Sequence, residues 1–202
     1  MKIPSNYDRN AAEGTGRLTP GGHKCVIKQV EETTSKSGKA MLIISFDTSL
    51  EDTQPEFYLK RWQNDTRDEK KWQGNSYLVL EGEYAEANLN RFLSAVDHSN
   101  EEFNPAKGGE LDPKVFKDLK VGVIFREEEY EPQTATMTDL MNGVYPTAVR
   151  PFRFCAYDKA FDQEAPKKKT LNKVQTATVT PSSAGFIDVP ADALEDEGLP
   201  FK

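Results

Sequence analysis

The chain has 202 residues, with 33 acidic and 26 basic side chains and a net charge of −7 at pH 7. This length predicts one domain with tails, or two very small domains. The negative charge excludes a global electrostatic attraction to nucleic acid or to an anionic membrane. Any binding of phosphate groups must therefore be local.

The two cysteines, Cys25 and Cys155, are far apart and form no C-x-x-C motif, and the two histidines have no metal-ligand spacing. This pattern is typical of a reducing compartment and predicts no metal framework. No apolar stretch approaches the roughly 18 residues of a membrane span, and the N-terminus lacks the apolar region of a signal peptide. We expect a soluble, cytoplasmic protein.

Residues 1–22 are polar and rich in glycine, and they predict a flexible arm that ends in a turn at residues 19–22. Residues 23–30 (HKCVIKQV) and 41–46 (MLIISF) flank a glycine turn and predict a β-hairpin. The second of these strands is nearly all apolar, which predicts burial on both of its faces.

Residues 56–62 (EFYLKRW) predict a third strand, because apolar and polar side chains alternate. In a strand, Tyr58, Lys60 and Trp62 would share one face, and Phe57 and Leu59 the other. This alternation puts an aromatic, a cation and an aromatic in a row.

The second half of the chain predicts one helix and several strands. Residues 85–96 place apolar side chains at helical spacing, and residues 113–119 allow one helical turn. Short runs at 77–80, 120–130 and 149–157 predict strands, the last with Phe152 and Phe154 on one face and Arg153 on the other. Its Pro151 indicates an edge strand or a strand start.

This order of elements predicts a mainly β protein with an OB-fold-like, five-stranded barrel and one helix between strands 3 and 4. An SH3-like barrel or a small α+β sandwich is the competing architecture. The predicted domain covers residues 23–157. A disordered linker at 158–185 and an acidic tip at 186–202 follow it.

The sequence gives no sign of catalysis, since it holds no phosphate-binding loop, nucleophile elbow or paired-histidine zinc motif. The acidic run of Glu127, Glu128 and Glu129 is the densest carboxylate group. A metal-dependent nuclease site needs carboxylates from several elements, whereas one such run at a strand end is more typical of a solvated edge. We therefore expect no enzyme and no cofactor.

Single-stranded nucleic acid is held by cations along its backbone and by aromatic rings that stack on its bases. The residues that fit this pattern are predicted to bind single-stranded DNA (ssDNA): Tyr58, Lys60, Trp62, Lys71, Trp72, Arg126 and Arg153, with Arg150 as an extension. The alternative is that Tyr58 and Trp62 are core residues and that the cations surround the barrel rim.

Residues 186–202 carry five carboxylates against one lysine and end in a short apolar motif. Such a segment is typical of a tethered recognition peptide, and the alternative is an acidic tail that only adds solubility. The motif resembles the C-terminal tips of bacterial and phage single-stranded DNA-binding proteins, although here Lys202 follows Phe201. The matching residues are Glu195, Asp196, Glu197, Gly198, Leu199, Pro200 and Phe201.

The body resembles small OB-like proteins of phages and mobile elements of Gram-positive bacteria. Four segments carry this resemblance: residues 18–27, 37–42, 91–100 and 120–130. It implies a phage-encoded accessory protein of replication or recombination, at work in the bacterial cytoplasm. It assigns no binding residues and leaves the oligomeric state open.

Together these features predict a protein that binds ssDNA without strong sequence preference and recruits replication or recombination proteins through its tip. The alternative is an OB-like module that binds a protein and no nucleic acid, such as a phage inhibitor of a host enzyme. The negative charge favours this alternative, because residues 1–157 alone carry a net charge of −5.

Overall fold

The computed structural model describes residues 16–106, 108–131 and 145–171. All of them belong to the first of two units of the chain, Met1–Leu171, and the second unit is Asn172–Lys202. The described elements are β1 (Gly21–Thr34), β2 (Ala40–Thr48), α1 (Phe57–Gln63), β3 (Asn75–Val79), α2 (Ala85–Asp97), β4 (Lys120–Glu129) and β5 (Thr147–Cys155). Single 3-10 turns lie at Pro113–Phe116 and Tyr157–Lys159. The protein is therefore mainly β.

The five strands form one antiparallel sheet in the order β3-β2-β1-β4-β5. The predicted hairpin is confirmed, since β1 and β2 pair from Cys25 with Thr48 to Thr34 with Ala40. Side chains of β2 alternate between buried and half-buried from Met41 to Phe46, so the prediction that both of its faces are buried is wrong. The outer face of β2 is therefore only partly covered.

The edge strands β3 and β5 form no ladder with each other within the described residues, so the sheet is open and the predicted barrel is not confirmed. Helix α2 packs against both edge strands as well as against β4. The sheet therefore curls around one apolar core, and its two free edges lie on either side of a gap.

Helix α2 matches the helix predicted over residues 85–96. Its inner face buries Phe92, Ala95 and Val96. The Phe92 ring lies 4.9 Å from that of Phe154 on β5 and 5.2 Å from that of Phe116, measured between centroids. Close contacts between aromatic rings of this kind attach the helix to the sheet.

The strand predicted over residues 56–62 is wrong, because these residues form helix α1. The Asp47 carboxylate, at the end of β2, accepts the backbone N–H groups of Tyr58 and Leu59 at 2.9 and 3.2 Å. The Thr48 hydroxyl accepts that of Phe57 at 2.9 Å. The first turn of a helix leaves such N–H groups without partners, and here residues distant in sequence bind them. Local alternation could not reveal this.

A buried polar cluster fixes the connection between β2 and α1. Asp52 accepts the backbone N–H groups of Lys24 and Gln54 and lies 2.8 Å from Nδ1 of His23. The other ring nitrogen of His23 lies 2.9 Å from the carbonyl oxygen of Thr19. Burial raises the pKa of Asp52, but the hydrogen bonds from His23 and the backbone outweigh it, so that the pKa lies below its ordinary value.

The described parts of the predicted arm and linker pack on the domain. Leu18 is buried, and the backbone N–H of Gly22 donates to the carbonyl of Gln163. Lys169 forms a parallel bridge to Glu128 on β4. Residues 158–171, the first half of the predicted linker, are thus folded onto the sheet. The rest of that linker, the predicted tip and residues 1–15 of the arm lie outside the described residues.

Candidate functional site

Helix α1 separates the three residues that the sequence placed on one strand face. Tyr58 is only 7% exposed, whereas Lys60 and Trp62 are exposed. The Tyr58 ring packs against Phe46 and Trp72, and burial raises its pKa well above the usual range. Tyr58 is therefore a core residue, as the alternative interpretation stated, and it cannot serve as a stacking surface.

The other predicted aromatics lie at the surface to different degrees. Trp62 is 41% exposed, and the Nζ of Lys70 lies 5.1 Å from the ring centroid. Trp72 is half-buried, and its indole N–H donates to the carbonyl of Phe46 at 3.2 Å. Lys71 beside it is exposed. The Trp62 ring is thus exposed with a lysine over it, and Trp72 exposes only part of its ring.

An extended concave surface with aromatic lining lies in the gap between β3 and β5. It consists of two clefts, of about 960 and 580 Å³, which share Tyr77 of β3 and Phe152 of β5. We call the two clefts together the edge groove. The first cleft runs past Trp72 and Tyr130, and the second runs past Tyr84. Exposed rings thus line the groove along its length.

Phe152 lies in the groove because of a β-bulge. In the ladder between β4 and β5, Ile124 pairs with Arg153 while Phe125 pairs with Pro151, so Phe152 is the extra residue. A bulge of this kind redirects a side chain. Phe152 is 43% exposed and Phe154 only 9%, so the prediction that the two share a face is wrong.

Two predicted cations contact the Phe152 ring. The guanidinium carbon of Arg126 lies 4.2 Å from the ring centroid, and that of Arg153 lies 5.6 Å away. Arg126 also forms an ion pair with Glu128 at 2.6 Å. Arg126 is therefore engaged in supporting the ring and balancing a carboxylate, whereas Arg153 is exposed at the groove.

Sequence reasoning missed Tyr77, which is 62% exposed on β3. Its neighbour Leu78 is buried, so the two alternate as expected of a strand with one face toward the core. That alternation was visible in the predicted strand at 77–80. The position of Tyr77 opposite β5 depends on the order of the strands in the sheet, which could not be predicted from the local sequence pattern.

Positive charge exceeds negative charge along the edge groove. The first cleft is lined by Arg17, Arg61, Arg150 and Glu128, and the second by Lys39, Arg91, Arg153, Glu81 and Glu83. Within the described residues the side chains of Lys39, Arg61 and Arg150 have no hydrogen-bond or ion-pair partner, whereas Arg17 pairs with Glu127 at 2.6 Å. The groove is thus locally basic on an acidic protein.

Two groups that could carry chemistry are already engaged in structural roles. The Glu127 carboxylate is bound by Arg17 and Thr147, and Lys168 lies 2.8 Å from Glu129.

Burial raises the pKa of Cys155 to about 11 and that of Cys25 well above its ordinary value, which keeps both thiols protonated at neutral pH. In the described part of the chain, no three His, Cys, Asp or Glu side chains are grouped to hold a metal ion.

No protein-family model matches this chain, and no curated protein matches it at a significant level. Among the described residues, no helix is long and apolar enough to cross a bilayer.

Proposed function

We propose that the protein binds single-stranded DNA in the edge groove, with little sequence preference, and recruits replication or recombination proteins through its acidic C-terminal segment. The observation that carries this proposal is the exposed pair Tyr77 and Phe152, on opposite edges of one groove with unpaired cations beside them. Rings supply stacking surfaces, and cations supply partners for phosphates.

The topology supports an OB-type fold. Five antiparallel strands follow the order β3-β2-β1-β4-β5, and α2 comes between β3 and β4 and contacts both edge strands. A partly open, five-stranded barrel of this type binds oligonucleotides across an exposed strand face and the adjoining loops. The gap between β3 and β5 would be the open part of such a barrel.

The groove offers stacking and charge, and these two interactions tolerate any base. Every base has a π-face, so stacking on Tyr77 or Phe152 does not depend on sequence. Guanidinium groups such as those of Arg150 and Arg153 meet phosphate oxygens, which carry no sequence information. This is the basis for proposing little sequence preference.

The negative net charge of residues 1–157 sets the expected strength of binding. A basic groove on an acidic body gives modest affinity that falls with salt, because each phosphate contact on a single strand contributes about 0.7 to the slope of log K against log salt. The affinity for ssDNA is therefore expected to be highest at low ionic strength.

The experiment titrates oligo-dT at low salt and follows the fluorescence of the protein's two tryptophans. Tyr77→Ala and Phe152→Ala should each weaken binding about 5- to 150-fold, since stacking contributes roughly 1–3 kcal/mol per base. Phe161→Ala is the matched control, because Phe161 is 47% exposed but lines neither cleft of the groove. Wild-type protein that retains no oligonucleotide at micromolar concentration would contradict the proposal.

The acidic segment has its own test. Its anchoring residues are Glu195, Asp196, Glu197, Leu199, Pro200 and Phe201. Deletion of residues 192–202 should leave the unfolding midpoint unchanged and leave or raise the affinity for oligo-dT, because the carboxylates no longer compete with phosphate for cations. A truncated protein that unfolds would show that the segment belongs to the domain.

A protein-binding module is the second candidate, favoured by the open edges of β3 and β5 in the described structure and by the acidic body. Open edges accept an added strand from a partner chain. In that case Phe152→Ala would weaken capture of a protein partner, and oligo-dT would neither bind nor compete with that partner.

A further inference from the structure

A second concave surface lies beside helix α1, outside the edge groove. It has a volume of about 540 Å³ and lies between α1, the segment before it and the loop after it. We call it the α1 pocket. Its lining residues include Lys60, Arg61, Asn64, Asp65, Arg67 and Gln73.

Hydrogen-bond donors in this pocket outnumber its acceptors. Among the described lining residues, Asp65 is the only carboxylate, and the Arg67 guanidinium already binds it, with Nη2 at 2.6 Å from Oδ2. That pairing lowers the pKa of Asp65 to about 2. Lys60 gives one hydrogen bond to the carbonyl of Pro55 and keeps its other N–H groups. The side chains of Arg61, Asn64 and Gln73 have no partner within the described residues.

The α1 pocket is continuous with the edge groove. Gly16, Phe57, Arg61 and Gln73 line both surfaces, so the free guanidinium of Arg61 lies where the two surfaces meet. Lys60 and Arg67 line the pocket beyond this point. Positive side chains therefore continue from the groove into the α1 pocket.

We propose that the α1 pocket binds backbone phosphates of an ssDNA strand that leaves the edge groove past Arg61, so that the binding site is longer than the groove. This inference rests on the proposed function of the groove. A phosphate oxygen only accepts hydrogen bonds, so it can bind the donors of this pocket that have no partner. The carboxylate of Asp65 is already paired with Arg67 and would repel a phosphate less than a free one would. The pocket would add salt-dependent affinity for long strands and no sequence preference.

Lys60→Gln tests the pocket, because Lys60 lines it and does not line the groove. Wild type and variant are titrated with dT of about 5 and about 20 nucleotides, since single OB folds occupy roughly 4–16 nucleotides. With the long strand, the variant should lose about 0.7 from the slope of log K against log salt. With the short strand, both proteins should behave alike. Lys117→Gln, on the exposed surface after the 3-10 turn, is the matched control.

A chemical readout complements the titration. The Lys60 amine should be protected from acetylation by the long strand and not by the short one, while Lys117 reacts equally in both complexes. A Lys60→Gln protein with the wild-type slope and an unprotected Lys60 in wild type would overturn the inference and leave the groove proposal intact. Absence of oligo-dT binding by wild type at every length and salt would overturn both.

Discussion

Helices α1 and α2 are attached to the same sheet by different interactions. Helix α2 has 13 residues and buries Phe92, Ala95 and Val96 against the sheet, with no side-chain cap at its first turn. Helix α1 has seven residues and buries only Tyr58. Its first turn is instead bound by the side chains of Asp47 and Thr48. One helix depends on apolar area, and the other on a few hydrogen bonds.

Because of this difference, we expect α2 to determine the stability of the domain and α1 to determine the geometry of the candidate site. A helix of seven residues is unstable in water by itself, so α1 forms only while its polar partners hold it. Helix α1 also carries Lys60 of the α1 pocket and Arg61, which lines both the pocket and the groove. We expect loss of α2 contacts to unfold the domain, and loss of α1 contacts to open the site first.

The largest effect is expected for Phe92→Ala. Removing this fully buried ring should lower the free energy of unfolding by about 3–5 kcal/mol, because contacts to Phe116 and Phe154 are lost and a cavity remains. Urea unfolding followed by tryptophan fluorescence and by far-UV circular dichroism should shift to the same lower midpoint with both probes. Leu50→Ala, on a side chain that is 77% exposed, is the control and should change little. Separate transitions for the two probes would contradict the assignment of α2 to the common core.

The next effect concerns Asp52, which ties the segment leading into α1 to β1. Asp52→Asn should lower the free energy of unfolding at pH 7 by about 2–3 kcal/mol, since charge-assisted hydrogen bonds are lost. The pKa of Asp52 is depressed in the folded protein, so its contribution is complete above the ordinary value of about 3.9. It is lost as the pH falls through the depressed pKa. The difference in melting temperature between wild type and Asp52→Asn should therefore shrink below about pH 4. A difference that stays constant from pH 7 to pH 3 would contradict this role.

Asp47→Ala should have a smaller global effect and a sharper local one. It leaves the N–H groups of Tyr58 and Leu59 without their acceptor, at a cost of about 2 kcal/mol. Trp62 and Trp72, on and after α1, report on this region. Their fluorescence should change at a lower urea concentration than the circular dichroism signal. For Phe92→Ala, in contrast, we expect the two signals to change together. Asp97→Ala, at the end of α2, is the control and should keep the two transitions together. Coincident transitions in Asp47→Ala would show that α1 is as firmly attached as α2.

The sequence predicted the elements whose pattern is local. Helix α2 follows from apolar side chains at helical spacing, and the hairpin of β1 and β2 follows from β-branched runs around a glycine turn. Helix α1 has no such pattern, since the N–H groups of its first turn are bound by residues about ten positions earlier. The alternation of Tyr58, Lys60 and Trp62 was consistent with a strand but arises on a helix.

Of the candidate site, only the types of side chain were predictable from the sequence. Aromatic rings and cations were expected; Arg153 lines the edge groove, and Arg126 contacts the Phe152 ring. Tyr77 and Phe152 were not identified, because one depends on strand order and the other on a bulge that shifts pairing by one residue. Strand order and the bulge both depend on how strands pair with each other, and the sequence of one chain does not reveal this pairing.

The packing of residues 158–171 on the sheet decides where a fragment that contains the domain can end. A Cβ at Gly22 would stand 1.8 Å from the carbonyl oxygen of Ala160, so β1 and this segment meet at a distance that only glycine permits. A fragment that ends at residue 157 would lack Ala160, which packs against Gly22 of β1, and Lys169, which bridges to Glu128 of β4. Both places on the sheet would become exposed. A fragment of the domain should therefore extend at least to residue 171, because one that ends at residue 157 would leave parts of β1 and β4 uncovered.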